Sequence, residues 1–241
     1  MTTLFVSDLH LDASRPGITR LFLDFLAGEA RQAQALYVLG DLFEAWVGDD
    51  DPGEPGAATC AALKALADSG VPVFLMRGNR DFLFGPGIAA RSGATLLADP
   101  CVVDLHGRPT LLMHGDLLCS DDAGYQAFRR QVRDPAWQAT FLAQPLAARQ
   151  AFAAKARAAS REHQSGMGEA ITDANAAAVV EVMSRHGVDR LIHGHTHRPA
   201  IHALALQGRP ATRVVLGDWY EQGSVLRVDA DGLRLEALVA P

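Results

Sequence analysis

Seven side chains in this sequence have the chemistry to hold metal together: Asp8 and His10, Asp41, Asn79, His114, and His195 with His197. All offer oxygen or imidazole nitrogen and none offers sulfur. Such a donor set suits manganese, iron or similar ions, whereas thiolate-rich sites select zinc or iron–sulfur centres. Seven donors exceed what one first-row ion takes once a water is counted. They suit two ions that share a carboxylate, about 3.5–4 Å apart. Asp8 and His10 are two residues apart, so on extended backbone they share a side, and His195 and His197 stand in the same relation. Taken singly each signal is weak. An acid after a strand is more often a helix cap, Asn79 alone a turn residue, and His114 alone a satisfied core histidine. Five such stretches in one chain are hard to reconcile with that reading.

The stretches share a position. Apolar runs at 4–6, 36–39, 71–76, 110–113 and 191–193 each lead into one of them. Short continuous apolar runs read as buried strands, and in open α/β sheets ligands collect beyond the carboxyl ends of the strands. Gly40, immediately before Asp41, permits close approach of backbone or ligand. Ile18, Leu21, Phe22 and Phe25 recur at helical spacing and predict a helix over about 17–33. Leu63 and Leu66, with Gly70 as the stop, predict another over 57–69. The β-α-β-α-β alternation indicates a layered α/β domain. Further short strands follow at 94–97 and 101–105. Asp173 is placed to cap a helix running to about His186, and 225–228 with 233–239 reads as a hairpin. The acids of the Gly-Pro-rich run at 48–56 read as a solvated turn.

Size and composition narrow the class. The 241 residues suit one large domain, or one carrying an insertion, and 49% apolar with 21% charged residues is ordinary for a globular protein. A formal charge of −6 argues against a broad nucleic-acid surface. Cys60, Cys101 and Cys119 have no motif spacing and read as buried thiols in a reducing compartment. The first residues lack the basic region of a signal peptide, and no apolar stretch reaches membrane-spanning length. The expectation is a cytoplasmic protein.

In order and content, the blocks Asp8-x-His10, Gly40-Asp41, Gly78-Asn79, His114-Gly115 and Gly194-His195-x-His197 resemble the calcineurin-like metallophosphoesterase superfamily. That resemblance implies a β-sandwich flanked by helices rather than one open sheet. Longer matches lie at 7–11, 40–51, 78–81, 114–122 and 193–199. They resemble the family of lipid A pathway diphosphatases that split UDP-2,3-diacylglucosamine into UMP and the sugar 1-phosphate, and 40–51 is the most specific of them. The resemblance implies that Asp8, His10, Asp41 and His197 hold one ion and that Asp41, Asn79, His114 and His195 hold the other. It also implies two manganese ions per subunit and water attack on the α-phosphorus. Asp41, Asn79, Arg80 and His195 are then the residues at the reaction centre. Arg80 stands where many relatives carry histidine. Arginine cannot protonate a leaving group, but it grips phosphate oxygens, and a sugar 1-phosphate needs little protonation.

Residues 121–168 read as a helical insertion into a single domain spanning 1–241. It carries seven basic residues against four acidic ones, interleaved with Tyr125, Phe128, Trp137, Phe141 and Phe152. On sequence alone it is equally a solvated basic layer or a lid over a groove for acyl chains with its charge towards anionic lipid. The resemblance favours the lid, peripheral association with the cytoplasmic face of the inner membrane, and substrate contacts from Asn79, Arg80, Asp122, Ser160, Gln164 and His195. A monomer is expected. Gln164 and Met167 depart from the asparagine and lysine of the family pattern; Gln164 keeps an amide, while Met167 removes a cation that Arg161 or His163 would have to replace. The competing readings are another binuclear metallophosphoesterase, such as a dinucleoside polyphosphatase or phosphodiesterase, and a non-catalytic scaffold on the same fold.

Overall fold

A computed structural model describes residues 1–50, 53–166 and 173–239, with 161–166 described by backbone alone. Two sheets form the centre. The first contains β1 (Thr3–Val6), β2 (Ala35–Leu39), β3 (Val73–Met76), β4 (Thr95–Leu97), β10 (Gly223–Asp229) and β11 (Gly232–Leu238), in the order β11-β10-β1-β2-β3-β4. The second contains β5 (Cys101–Leu105), β6 (Arg108–Leu112), β7 (Arg190–His193), β8 (Ala200–Leu206) and β9 (Arg209–Val215), in the order β5-β6-β7-β9-β8. Strands β1 to β4 run parallel, as do β6, β7 and β9. The outer strands are added antiparallel.

Period-two alternation decides which side chains meet. Phe5, Tyr37, Leu39 and Met76 of the first sheet pack against Leu112, Ile192 and Val214 of the second, so the sheets face each other as a sandwich. Phe5, Tyr37 and Phe74 are in register across three strands and stack with centroids 4.8 and 4.6 Å apart. Each such pair contributes about 0.5–1.5 kcal/mol beyond its buried area. The alternate residues Leu4, Val6, Leu36, Val38, Val73 and Leu75 point outward into a second core. Helices α1 (Pro16–Ala27), α2 (Gly53–Asp68) and α3 (Pro86–Ser92) cover that side of the sheet. Leu111, Met113 and Leu191 pack against α7 (Ala176–His186) on the far side of the second sheet.

Helices α4 (Ala123–Val132), α5 (Pro135–Leu142) and α6 (Leu146–Gly166) make up the helical stretch expected at 121–168. Val132 and Phe141 are buried in the outer core of the first sheet, and Phe128 and Trp137 pack against it. Part of the aromatic stripe is therefore core. Buried Arg149 ties the start of α6 to the carbonyl of Val47 (2.6 Å) and to the Asp50 carboxylate.

Three local expectations are corrected. The first helix stops at Ala27, where Gly28 leaves helical backbone, and a short tight turn over Glu29–Gln32 replaces its last stretch. Asp173 does not cap α7. The cap is Asn175, whose Oδ1 accepts from the amides of Ala177 and Ala178, while Asp173 pairs with Arg198. The acids at 48–50 are not simply solvated either. Asp49 accepts from Trp46 Nε1 and from the amides of Gly85 and Gly87, and so fastens this loop to the start of α3.

Candidate metal centre

The parallel directions of β1, β2 and β3 bring the segments that follow them to one edge of the first sheet. Neighbouring β6 and β7 do the same for the second. Asp8 and His10, Asp41, Asn79, His114, and His195 with His197 all lie on these five segments. Five of the seven have left-handed backbone: Asp8 (φ 54°), His10 (48°), Asp41 (51°), His195 (70°) and His197 (54°). The other non-glycine residues with positive φ among those described, His106 and Gln207, sit in hairpin turns just before glycines. Such backbone costs an L-residue roughly 1–2 kcal/mol. Its concentration here marks positions where side-chain direction has been favoured over local comfort.

The seven side chains fall into two touching groups. In the first, His197 Nε2 lies 3.3 Å from His10 Nε2 and 3.4 Å from Asp8 Oδ1, and His10 Nε2 is 3.7 Å from Asp41 Oδ2. In the second, Asn79 Oδ1 is 2.9 Å from both His114 Nε2 and His195 Nδ1, and Asp41 Oδ1 is 3.7 Å from His114 Nε2. The two oxygens of Asp41 thus face different groups. Asp8 is also within reach of the second, since it offers an oxygen near Asp41 and His114.

The donor set fits cations. Among the described residues, buried Asp8 Oδ1 has no hydrogen-bond partner, with His197 Nε2 3.4 Å away, a costly state unless a cation satisfies it. His114 Nδ1 lies 2.9 Å from the carbonyl of Leu39 and donates its proton there. Its Nε2 lone pair then faces the Asn79 oxygen at 2.9 Å, an arrangement that a proton or a cation between them would satisfy. Burial disfavours a charged His114, yet Asp41 and Asp8 outweigh it and raise the ring to about 9. The field that would draw a proton there is the field that holds a divalent ion. Burial, with His114 alongside, lowers His195 to about 4, so it stands as neutral imidazole, the ligating form.

Residues outside the sequence-derived set orient these ligands. Glu44 Oε2 faces His10 Nδ1 at 3.3 Å, and Asp218 Oδ2 faces His197 Nδ1 at 3.6 Å. Carboxylates behind imidazoles set ring orientation and basicity in metal sites. Buried Asp81 accepts from the amides of Gly78 (2.7 Å) and Leu42 (2.7 Å), joining two ligand loops. Its burial and the charge of Asp41 raise it to about 7. Glu44 and Asp81 stand three and two residues from Asp41 and Asn79, a spacing that could have found them; Asp218 gave no such signal. Glycine is needed at Gly78, where a Cβ would come within 2.1 Å of Asp41 Oδ1.

Beside the second group opens a cavity of about 410 Å³. Asn79, Arg80 and Tyr125 form its polar end, and Trp46, Phe82, Leu83, Phe128, Phe141 and Phe152 give it an apolar wall. Among the described residues, Arg80 Nε is buried with no hydrogen-bond partner, and Arg80 lines the cavity, where an anion could take that donor. Ser160 lies in the cavity wall. Asp122 lies outside that wall at the start of α4, where its carboxylate accepts from the Tyr125 amide at 2.8 Å. The side chain of Gln164, and Met167 altogether, lie outside what is described.

Known proteins resemble this chain over most of its length. The profile of the calcineurin-like phosphoesterases matches residues 1–199. A UDP-2,3-diacylglucosamine hydrolase of Xanthomonas campestris pv. campestris is 63% identical over 99% of each chain. Another, from Stenotrophomonas maltophilia, is 62% identical over the same shares. An Escherichia coli phosphoesterase of solved structure matches 97% of this chain and 91% of its own at 18% identity, with a TM-score of 0.48, too distant to add weight.

Proposed function

The chain belongs to the calcineurin-like phosphoesterase family, and from that premise we propose that it hydrolyses the pyrophosphate of UDP-2,3-diacylglucosamine, releasing UMP and the diacylglucosamine 1-phosphate. The observation that carries this reading is an adjacency. Asn79 belongs to the ligand cluster, the Arg80 amide donates to Asp41 Oδ1 at 2.8 Å, and both residues line a cavity walled by aromatic and aliphatic side chains. A phosphoanhydride seated at the cluster would leave its lipid half facing that cavity. A dinucleoside polyphosphate would place a polar base against the same wall.

Asp8, His10, Asp41 and His197 would hold one ion and Asp41, Asn79, His114 and His195 the other, with manganese the proposed metal. When bound, such ions supply positive charge to phosphoryl oxygens and make a water nucleophilic near neutral pH. The chain's own residues do the rest. Arg80 grips the phosphate oxygens and stays charged throughout, in keeping with a leaving group that needs no proton. Aromatic walls from Trp46, Phe82 and Phe141 shield the acyl chains from water. Ser160, Asp122 and Gln164 are proposed contacts to the sugar phosphate. Helices α4 to α6 form the proposed lid on a single domain. UMP release from the diacylated UDP-sugar, measured against the same sugar without acyl chains, tests this reading. Equal rates on both would remove the lipid half of it.

Peripheral association with an anionic membrane rests on a narrower basis than the charge count suggested. Arg129, Arg133 and Arg149 turn inward. Exposed Arg130 and Lys155, with half-exposed Leu142 and Phe152, on α4 to α6 are what would meet lipid. Flotation with anionic vesicles checks it; protein left wholly in the aqueous fraction would count against it.

A further inference from the structure

Helix α4 belongs to the helical stretch over the cavity, yet its polar contacts are with the metal centre. Arg133, at its end, donates from Nη2 to the carbonyl of Gly78 at 2.9 Å, immediately before Asn79. Arg129 donates from Nε to Asp116 Oδ2 at 2.8 Å and from Nη2 to Asp99 Oδ2 at 3.1 Å. The other oxygen of Asp99 accepts the backbone amide of His114 at 3.1 Å. Tyr125 donates to Asp116 Oδ2 at 2.7 Å and stacks its ring on His195, centroids 5.9 Å apart. Asp99 and Asp116 are buried, and Arg129 is the cation that pairs with both.

One helix thus touches the segments carrying Asn79, His114 and His195. Those are all the ligands of the second group except the shared Asp41. Among the described residues, no hydrogen bond, ion pair or ring contact joins α4 to Asp8, His10 or His197. His10 and His197 are backed instead by Glu44 and Asp218, and Asp8 accepts from Ser7 Oγ at 2.6 Å and from the His195 amide at 2.8 Å. We infer that α4 is a clamp on one of the two ion sites, with Arg129 and Arg133 as positioning residues that set its affinity and leave the other site alone. The inference rests on the two-ion reading above. Its physical basis is that groups holding ligands in place govern affinity as ligands do; losing one typically costs 10–100-fold.

The test is calorimetric titration of chelator-treated full-length protein with Mn2+. Wild type and Arg130→Gln, which removes the same charge from the exposed side of α4, should each take up two ions with matching affinities. Arg133→Gln and Arg129→Gln should keep one affinity and weaken the other by about 10-fold or more. Arg129→Lys, which keeps the charge but loses the fork between Asp99 and Asp116, should fall between. Should Arg129→Gln fail to fold, as judged by circular dichroism, Arg133→Gln and Arg129→Lys still decide. Both affinities falling together in the variants, or neither falling, would overturn the clamp with the two-ion reading intact. Wild-type protein binding fewer than two ions would overturn both.

Discussion

Replacing Asp41 with asparagine should lower UMP release by at least ~10³-fold, equivalent to about 4 kcal/mol of transition-state stabilisation, while leaving the fold in place. Asparagine is the informative substitution because it keeps the shape and tolerates the left-handed backbone at φ 51°. What it changes is the donor set. Asp41 is the carboxylate whose two oxygens face the two ligand groups, 3.7 Å from His10 Nε2 and 3.7 Å from His114 Nε2. An amide there gives up the shared negative charge and turns N–H towards one group's lone pair. Stability should change far less. Asp41 lies beside buried Asp8 and Asp81, and its charge is one reason Asp81 is raised to about 7, but the same charge attracts His114 and helps raise that ring to about 9. With repulsion and attraction lost together, the metal-free variant should unfold close to the temperature of metal-free wild type. Near-normal turnover in the variant would refute the shared-ligand assignment.

Removing the acyl chains from the substrate should cost kcat/KM on the order of 10³-fold. Each methylene taken from water contributes about 0.8 kcal/mol, so burying about six of them yields ~5 kcal/mol, enough for that factor. The cavity beside Arg80 has the lining for it: Trp46, Phe82, Leu83, Phe128, Phe141 and Phe152 present carbon, while the polar lining is Asn79, Arg80 and Tyr125 together with Glu44, Arg157 and Ser160. The measurement is initial UMP release at sub-saturating substrate, with and without acyl chains. A ratio near one would mean that the lining serves packing only.

Much of the metal centre could be read from the chain because β-structure does the converging. Each ligand stands directly after a buried strand, and parallel neighbours deliver those ends to one edge. The sandwich was less accessible. Alternate faces of β1 to β3 are both apolar, since one meets the second sheet and the other the helices, so periodicity alone read them as an open sheet. Arg129 and Arg133 were read as part of a basic face turned outward, towards solvent or anionic lipid. Arg129 turns inward to Asp99 and Asp116, and Arg133 to the carbonyl of Gly78, partners that no local pattern connects to them. Asp173 looked like the cap of α7, but Arg198 holds it and Asn175 takes the amides. Long-range charge pairing decided the placing of Arg129 and Asp173, and sequence spacing does not encode it.

The clamp on α4 gives the helical layer two parts. Its first helix is fixed to the ligand loops, and its long α6 lies over the cavity with Ala153, Ala156 and Ser160 facing it. A substrate entering beneath α6 would therefore meet one ion site that the layer itself helps to build.

The most direct test of hydrolysis at the α-phosphorus is isotopic. Manganese-loaded protein is given UDP-2,3-diacylglucosamine in 18O-labelled water, and both products are weighed by mass spectrometry. One 18O in UMP and none in the diacylglucosamine 1-phosphate is the predicted outcome. Label in the sugar phosphate, or no UMP at all, would contradict it.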